Sequence, residues 1–117
     1  MNDTVKEMVA IAYDALDEKL GQDIQIIQIS EISMIADYLM IASGKNQNQI
    51  HAMTDLVEEK LGQAGYHAKH IEGNKNSTWI LMDYGDMILH IFSNEDRLFY
   101  DLERIWRDGK KIDRTSL

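Results

Sequence analysis

Residues 79–93 read Trp79-Ile80-Leu81-Met82-Asp83-Tyr84-Gly85-Asp86-Met87-Ile88-Leu89-His90-Ile91-Phe92-Ser93, and the fold turns on how this stretch is divided. The runs 79–83 and 86–92 are rich in apolar and β-branched side chains. Tyr84-Gly85 between them predicts a two-residue hairpin turn, with glycine where positive φ is required. Alternation puts Trp79, Leu81 and Asp83 on one face of the first strand and Thr78, Ile80 and Met82 on the other. One of these faces must meet the rest of the core. Trp79 reads either as a core residue or as the anchor of an interface, because tryptophan buries much area at small entropic cost.

Beyond this hairpin, Ser93 or Asn94 suits the N-cap of a last helix bearing Leu98, Phe99, Leu102, Ile105 and Trp106. Trp106 reads as core there, with Tyr100 open between core and surface. The chain after Gly109 is polar and basic, so 1–108 is expected to form the domain and 109–117 a flexible tail. Toward the N-terminus, 66–71 reads as a strand. It follows a helix started by Asn46 or Asn48, with Ile50, Met53, Val57, Leu61 and Ala64 inward and Gly65 as its stop. The run 38–43 is almost wholly apolar and ends at Ser43-Gly44, as expected of a strand buried on both faces. Joined through the helix to 66–71, it predicts a parallel crossover.

Ile24, Ile26, Ile27 and Ile29 make 23–29 a further strand. Thr4 and Glu7 form a capping-box pattern ahead of Val5, Met8, Val9, Ala12, Leu16 and Leu20 at helical spacing, with Gly21 as terminator. The order is α-β-β-α-β-β-β-α: a single α/β (α+β) domain with one mixed five-stranded sheet and helices packed against it. Three such helices cannot easily cover both faces of five strands. Part of one face is expected to stay open, as a candidate interaction surface.

The 117 residues include no cysteine and no proline. Disulfides, thiolate zinc sites and cysteine nucleophiles are excluded together. No apolar run approaches the length of a membrane span and no basic–apolar leader opens the chain, so a soluble cytoplasmic protein is expected. The net charge of −8 is unevenly spread. Residues 1–103 hold seven basic and eighteen acidic side chains, whereas 104–117 hold Arg104, Arg107, Lys110, Lys111 and Arg114 against Asp108 and Asp113. An acidic body repels phosphate backbones and suits a basic protein partner, although solubility alone also accounts for such a charge.

Signals for chemistry are thin. His51, His67, His70 and His90 show no metal-ligand spacing, and His90 inside its apolar strand reads as a hydrogen-bonded, half-buried side chain. Asp83 and Asp86 beside the hairpin turn could imitate an acidic triad with Asp37, but aspartates are favoured at tight turns anyway. Ser43-Gly44 before a helix could present free amides to phosphate, yet no glycine-rich run accompanies it and Lys45 stands alone. No cofactor, no metal and no catalytic residue is expected.

Together these segments resemble the Iojap family, the ribosomal silencing factors of bacteria and organelles. The resemblance runs over about 5–106. It rests on Ala36-Asp37-Tyr38 leading to Ile41-Ala42-Ser43-Gly44, on Ile71-Glu72-Gly73, and on the run from Trp79 through Asp86 with Ile88, His90 and Phe92. It ends in the helix Arg97-Leu98-Phe99-Tyr100-Asp101-Leu102-Glu103-Arg104-Ile105-Trp106. The chain departs from the pattern after Gly44, where Asn48 stands in place of an arginine usual in the family.

The resemblance implies a nucleotidyltransferase-like fold without transferase activity. It also implies binding to the large ribosomal subunit through ribosomal protein fourteen of that subunit, with subunit joining blocked sterically and translation repressed. Family motif and alternation together nominate Trp79, Leu81, Asp83, Met87, His90 and Tyr100 as the partner-binding set. The same apolar patch could serve a homodimer, and Arg107, Lys110, Lys111 and Arg114 of the tail could touch ribosomal RNA. The alternative is a residual nucleotide-binding or nucleotidyltransferase protein using Asp37, Asp83, Asp86 and the Ser43-Gly44 helix start.

Overall fold

The structure is a computed structural model that describes residues 3–74 and 76–117. The elements are α1 (Asp3–Glu18), β1 (Gln22–Gln28), β2 (Tyr38–Gly44), α2 (Gln47–Gln63), β3 (His70–Glu72), β4 (Trp79–Asp83), β5 (Met87–Ser93), α3 (Asn94–Tyr100), α4 (Leu102–Ile105) and β6 (Lys110–Ile112). They build one α+β domain around a mixed six-stranded sheet of order β3-β4-β5-β2-β1-β6. β2 and β5 pair in parallel; every other neighbouring pair is antiparallel.

Every residue of β2 is buried, as its unbroken apolar run predicts for a central strand. Helices α1 and α2 lie together on one face. Val5, Val9, Ala12 and Leu16 of α1 and Ile50, Met53, Val57 and Leu61 of α2 pack there on Ile26, Met40, Ala42, Met82, Leu89 and Ile91. Burying each such aliphatic side chain contributes roughly 1.5–3 kcal/mol, so this layer supplies most of the stability.

Several local expectations are corrected. α1 already contains Asp3, so Thr4 lies inside the helix, and the left-handed residue after it is Leu20 (φ 60°), not Gly21. Ala64 is the exposed C-cap of α2; Asn46 rather than Asn48 is the N-cap, its side chain accepting from the Gln49 amide at 2.9 Å. β3 does not sit beside β2. It pairs antiparallel with β4 at the sheet edge, and β5 takes the place beside β2. The hairpin turn falls one residue later than expected: the Tyr84 amide donates to the Met87 carbonyl, leaving Gly85 and Asp86 as the turn, with Gly85 at φ 88°.

The C-terminal segment differs most. Asp101 adopts a left-handed conformation (φ 49°) and breaks the expected single helix into α3 and α4. After Gly109 the chain forms a sixth strand instead of a flexible tail. Lys110 and Lys111 pair with Gln28 and Ile27, and Ile112 with Ile26. The last residues are held as well, by a short 3-10 turn (Arg114–Ser116), by the Arg114 guanidinium donating to both oxygens of Asp14 at 2.8 and 2.9 Å, and by Leu117 against the core. Three residues suffice for a strand here because an edge strand needs partners on only one side.

Candidate functional site: an aromatic sheet face

The sheet face opposite α1 and α2 is only partly covered. α3, α4 and Trp106 cover it over β1, β2 and the end of β5, where Ile27, Ile29, Leu39, Ile41 and Phe92 are buried with Leu102 and Trp106 against them. Toward β4 the cover thins to the Tyr100 ring over Trp79, and among the described residues no helix packs on this face of β3. Register places Trp79 opposite Phe92, Leu81 opposite His90 and Asp83 opposite Ile88. His70 and Glu72 of β3 face Asp83 and Leu81 at the rim and bond to each other at 3.0 Å.

Trp79 is half-buried at the centre of an aromatic cluster. Its ring lies 4.5 Å from Tyr100, 4.9 Å from Phe92 and 5.8 Å from His90, between centroids. Its indole N–H donates to His90 Nδ1 at 3.0 Å. His90 is 8% exposed, and burial lowers its pKa to about 4, so it is a neutral acceptor at neutral pH. Trp79 is thereby held in orientation while remaining half-exposed. A rigid aromatic flanked by Leu81, Ile88 and Tyr100 suits an apolar contact better than a reaction.

Of the expected set, Trp79, Leu81, Asp83, His90 and Tyr100 come together on this face, and Met87 does not. Met87 is fully buried on the helix-covered side, since it precedes Ile88 by one residue in a strand. Asp83 is occupied locally, its carboxylate accepting from the Gly85 amide at 2.8 Å. Asp37 and Asp86 meet through main chain only: the Asp37 amide donates to the Asp86 carbonyl at 2.9 Å. Among the described residues no group of three His, Asp or Glu could hold a metal ion.

At the far end of β2, Ser43 is buried with its hydroxyl on the Gln22 carbonyl (3.3 Å) and under the Arg97 guanidinium (3.2 Å). The Lys45 amide donates to the Gln49 side chain at 2.6 Å, so the start of α2 is closed by its own residues.

Arg97 is the residue that sequence reasoning passed over. It is buried at the base of α3, donating also to the Gln22 carbonyl (3.1 Å) and Glu103 (3.1 Å), with Asp23 at 3.4 Å. One guanidinium thus ties β1 and β2 to α3 and α4. A second surprise is the outer side of this arm: Leu98 is 82%, Phe99 81%, Ile105 66% and Tyr100 42% exposed. The expected inward face assumed one continuous helix. The break at Asp101 turns Leu102 and Trp106 inward and leaves Leu98 and Phe99 outside.

Comparison with known proteins gives this surface its context. A family model described as "Ribosomal silencing factor during starvation" matches residues 2–117. The chain is 32% identical to ribosomal silencing factor RsfS of Bacillus subtilis over 92% of both chains. It is 37% identical to RsfS of Zymomonas mobilis over 91% of this chain and 80% of that one. A crystal structure of a Chromobacterium violaceum protein superposes with a TM-score of 0.86 at 29% identity, covering 97% of this chain and 92% of that one. With the family model matching residues 2–117 and curated relatives matching over nearly the whole length, the chain belongs to the Iojap and RsfS family of ribosomal silencing factors.

Proposed function

We propose that this protein is a non-enzymatic silencing factor that binds the large ribosomal subunit through ribosomal protein fourteen. Seated there, it blocks docking of the small subunit and represses translation. The observation that carries the reading is the partly exposed face of Trp79, Leu81 and Tyr100 on an otherwise acidic body. Complementary charge would speed encounter with a basic ribosomal protein, while the apolar face would supply most of the binding energy. The Trp79–His90 bond favours this use, because an anchor held in place before binding loses little entropy on docking.

Ser43, Asp83 and the α2 start, which a nucleotide-binding reading would need, are already engaged within the fold. The same exposed patch gives the free protein a surface for pairing with a second copy. Co-sedimentation with isolated 50S subunits tests the reading. The protein should pellet with 50S and stay in the supernatant when 30S subunits are pelleted instead; absence of 50S binding would overturn it.

A further inference from the structure

The basic residues of the C-terminal segment stand at fixed places in the fold, and their surroundings sort them. Arg114 is spent on Asp14 in a two-pronged pair. Arg104, Arg107, Lys110 and Lys111 are exposed, and among the described residues none has a carboxylate partner within 4 Å. Arg104 and Arg107 line an open groove of about 730 Å³ together with Phe99 and Tyr100. Lys110 and Lys111 stand on β6, an edge strand of the sheet, where alternation sends Lys111 to the face of the arm and Lys110 to the other side of that edge. Asp101 and Asp108 also border the groove, so the positive charge forms a narrow strip.

Tyr100 belongs to both surfaces. It packs on Trp79 at 4.5 Å with the ring planes tilted by 42° and lines the groove as well, so the groove adjoins the aromatic face. Phe99 stands edge-on to Tyr100 at 5.1 Å and 90° with most of its ring exposed.

We propose that Arg104, Arg107, Lys110 and Lys111 contact ribosomal RNA beside the protein partner, with Phe99 offering its ring to an unstacked base. The proposal rests on the large subunit being the target. RNA fits better than an acidic protein surface because guanidinium forks match phosphate oxygens and an exposed aromatic among cations is a stacking platform. The acidic remainder of the chain repels a polyanion and confines the contact to this strip. The strip therefore adds affinity and orientation to a complex that the aromatic face selects.

The experiment compares wild type with the fourfold variant Arg104→Ala, Arg107→Ala, Lys110→Ala and Lys111→Ala. Affinity for 50S is measured across a salt series, and ultraviolet crosslinking to ribosomal RNA is measured on the same complexes. With a loss of about 0.7–0.9 in log–log salt slope per phosphate contact, the variant's slope should be shallower by about 3. Its RNA crosslink should vanish while binding to the isolated ribosomal protein is unchanged. The double variant Arg104→Gln, Arg107→Gln, which leaves β6 intact, should show about half the slope change. Equal slopes overturn the proposal. A reduced slope with no RNA crosslink in wild type overturns it in favour of an acidic protein neighbour. Wild type failing to bind 50S at any salt contradicts the silencing reading itself.

Discussion

Trp79 donates its indole N–H to Nδ1 of His90 at 3.0 Å across the β4–β5 hairpin, and the acceptor is a buried, neutral imidazole. The bond requires the Nδ1 lone pair, so His90 carries its proton on Nε2. It cannot become imidazolium without releasing Trp79.

The first expectation concerns that titration. Because burial lowers the folded-state pKa from 6.5 to about 4, stability is unaffected by His90 above pH 6.5 and falls between pH 6.5 and 4. There the unfolded chain takes up a proton that the folded chain refuses. The full effect is on the order of 3 kcal/mol. An NMR titration of the imidazole should give a midpoint well below 6; a midpoint near 6.5 would contradict the buried-acceptor geometry.

Trp79 and Met87 should separate binding from folding. Trp79→Ala is expected to weaken 50S binding by about 2 kcal/mol or more, roughly thirtyfold. Met87→Ala should lower stability by roughly 2–5 kcal/mol through a core cavity, with binding per folded molecule unchanged. Urea denaturation and co-sedimentation on both variants check the pair.

Arg97→Met should act on the arm. It leaves Glu103 without its guanidinium and takes one donor from the Ser43 hydroxyl and one from the Gln22 carbonyl, which keep their mutual bond, a loss of roughly 1–3 kcal/mol. With α3 and α4 loosened, the tilted Trp79–Tyr100 ring pair should lose its near-ultraviolet circular dichroism while the far-ultraviolet signal persists. Unchanged aromatic signals would show that Arg97 does not position Tyr100.

Deleting 109–117 should destabilise the domain. Ile112 and Leu117 pack against the core, and Arg114 holds the Asp14 carboxyl below the usual carboxylate range through direct hydrogen bonds. The exposed ion pair contributes little; the apolar contacts and strand pairing should account for about 2–3 kcal/mol. An unchanged urea midpoint would restore the picture of a flexible tail.

The central architecture was legible because its signals are dense and local. The all-apolar run at 38–43, the alternation from Trp79 to Phe92 and the helical spacing of Ile50, Met53, Val57 and Leu61 each encode one partner surface. Alternation likewise grouped Trp79, Leu81 and Asp83, and it would have excluded Met87 had it been carried into β5. What escaped depends on contacts distant in sequence. Lys110 to Ile112 form a strand only because β1 offers an edge more than eighty positions earlier, and a three-residue run has no periodicity to read. The bend at Asp101 is set by Arg97 reaching Gln22, Ser43 and Glu103, a network that no spacing rule announces. Without the bend, Leu98 and Phe99 pass for core.

Formation of 70S particles from purified 30S and 50S subunits, followed by light scattering, tests the central claim most directly. Wild-type protein added to 50S first should suppress the scattering increase in proportion to its occupancy, and Trp79→Ala at the same concentration should not. Undiminished joining with 50S saturated by wild-type protein, or equal suppression by the Trp79→Ala protein, would contradict the account.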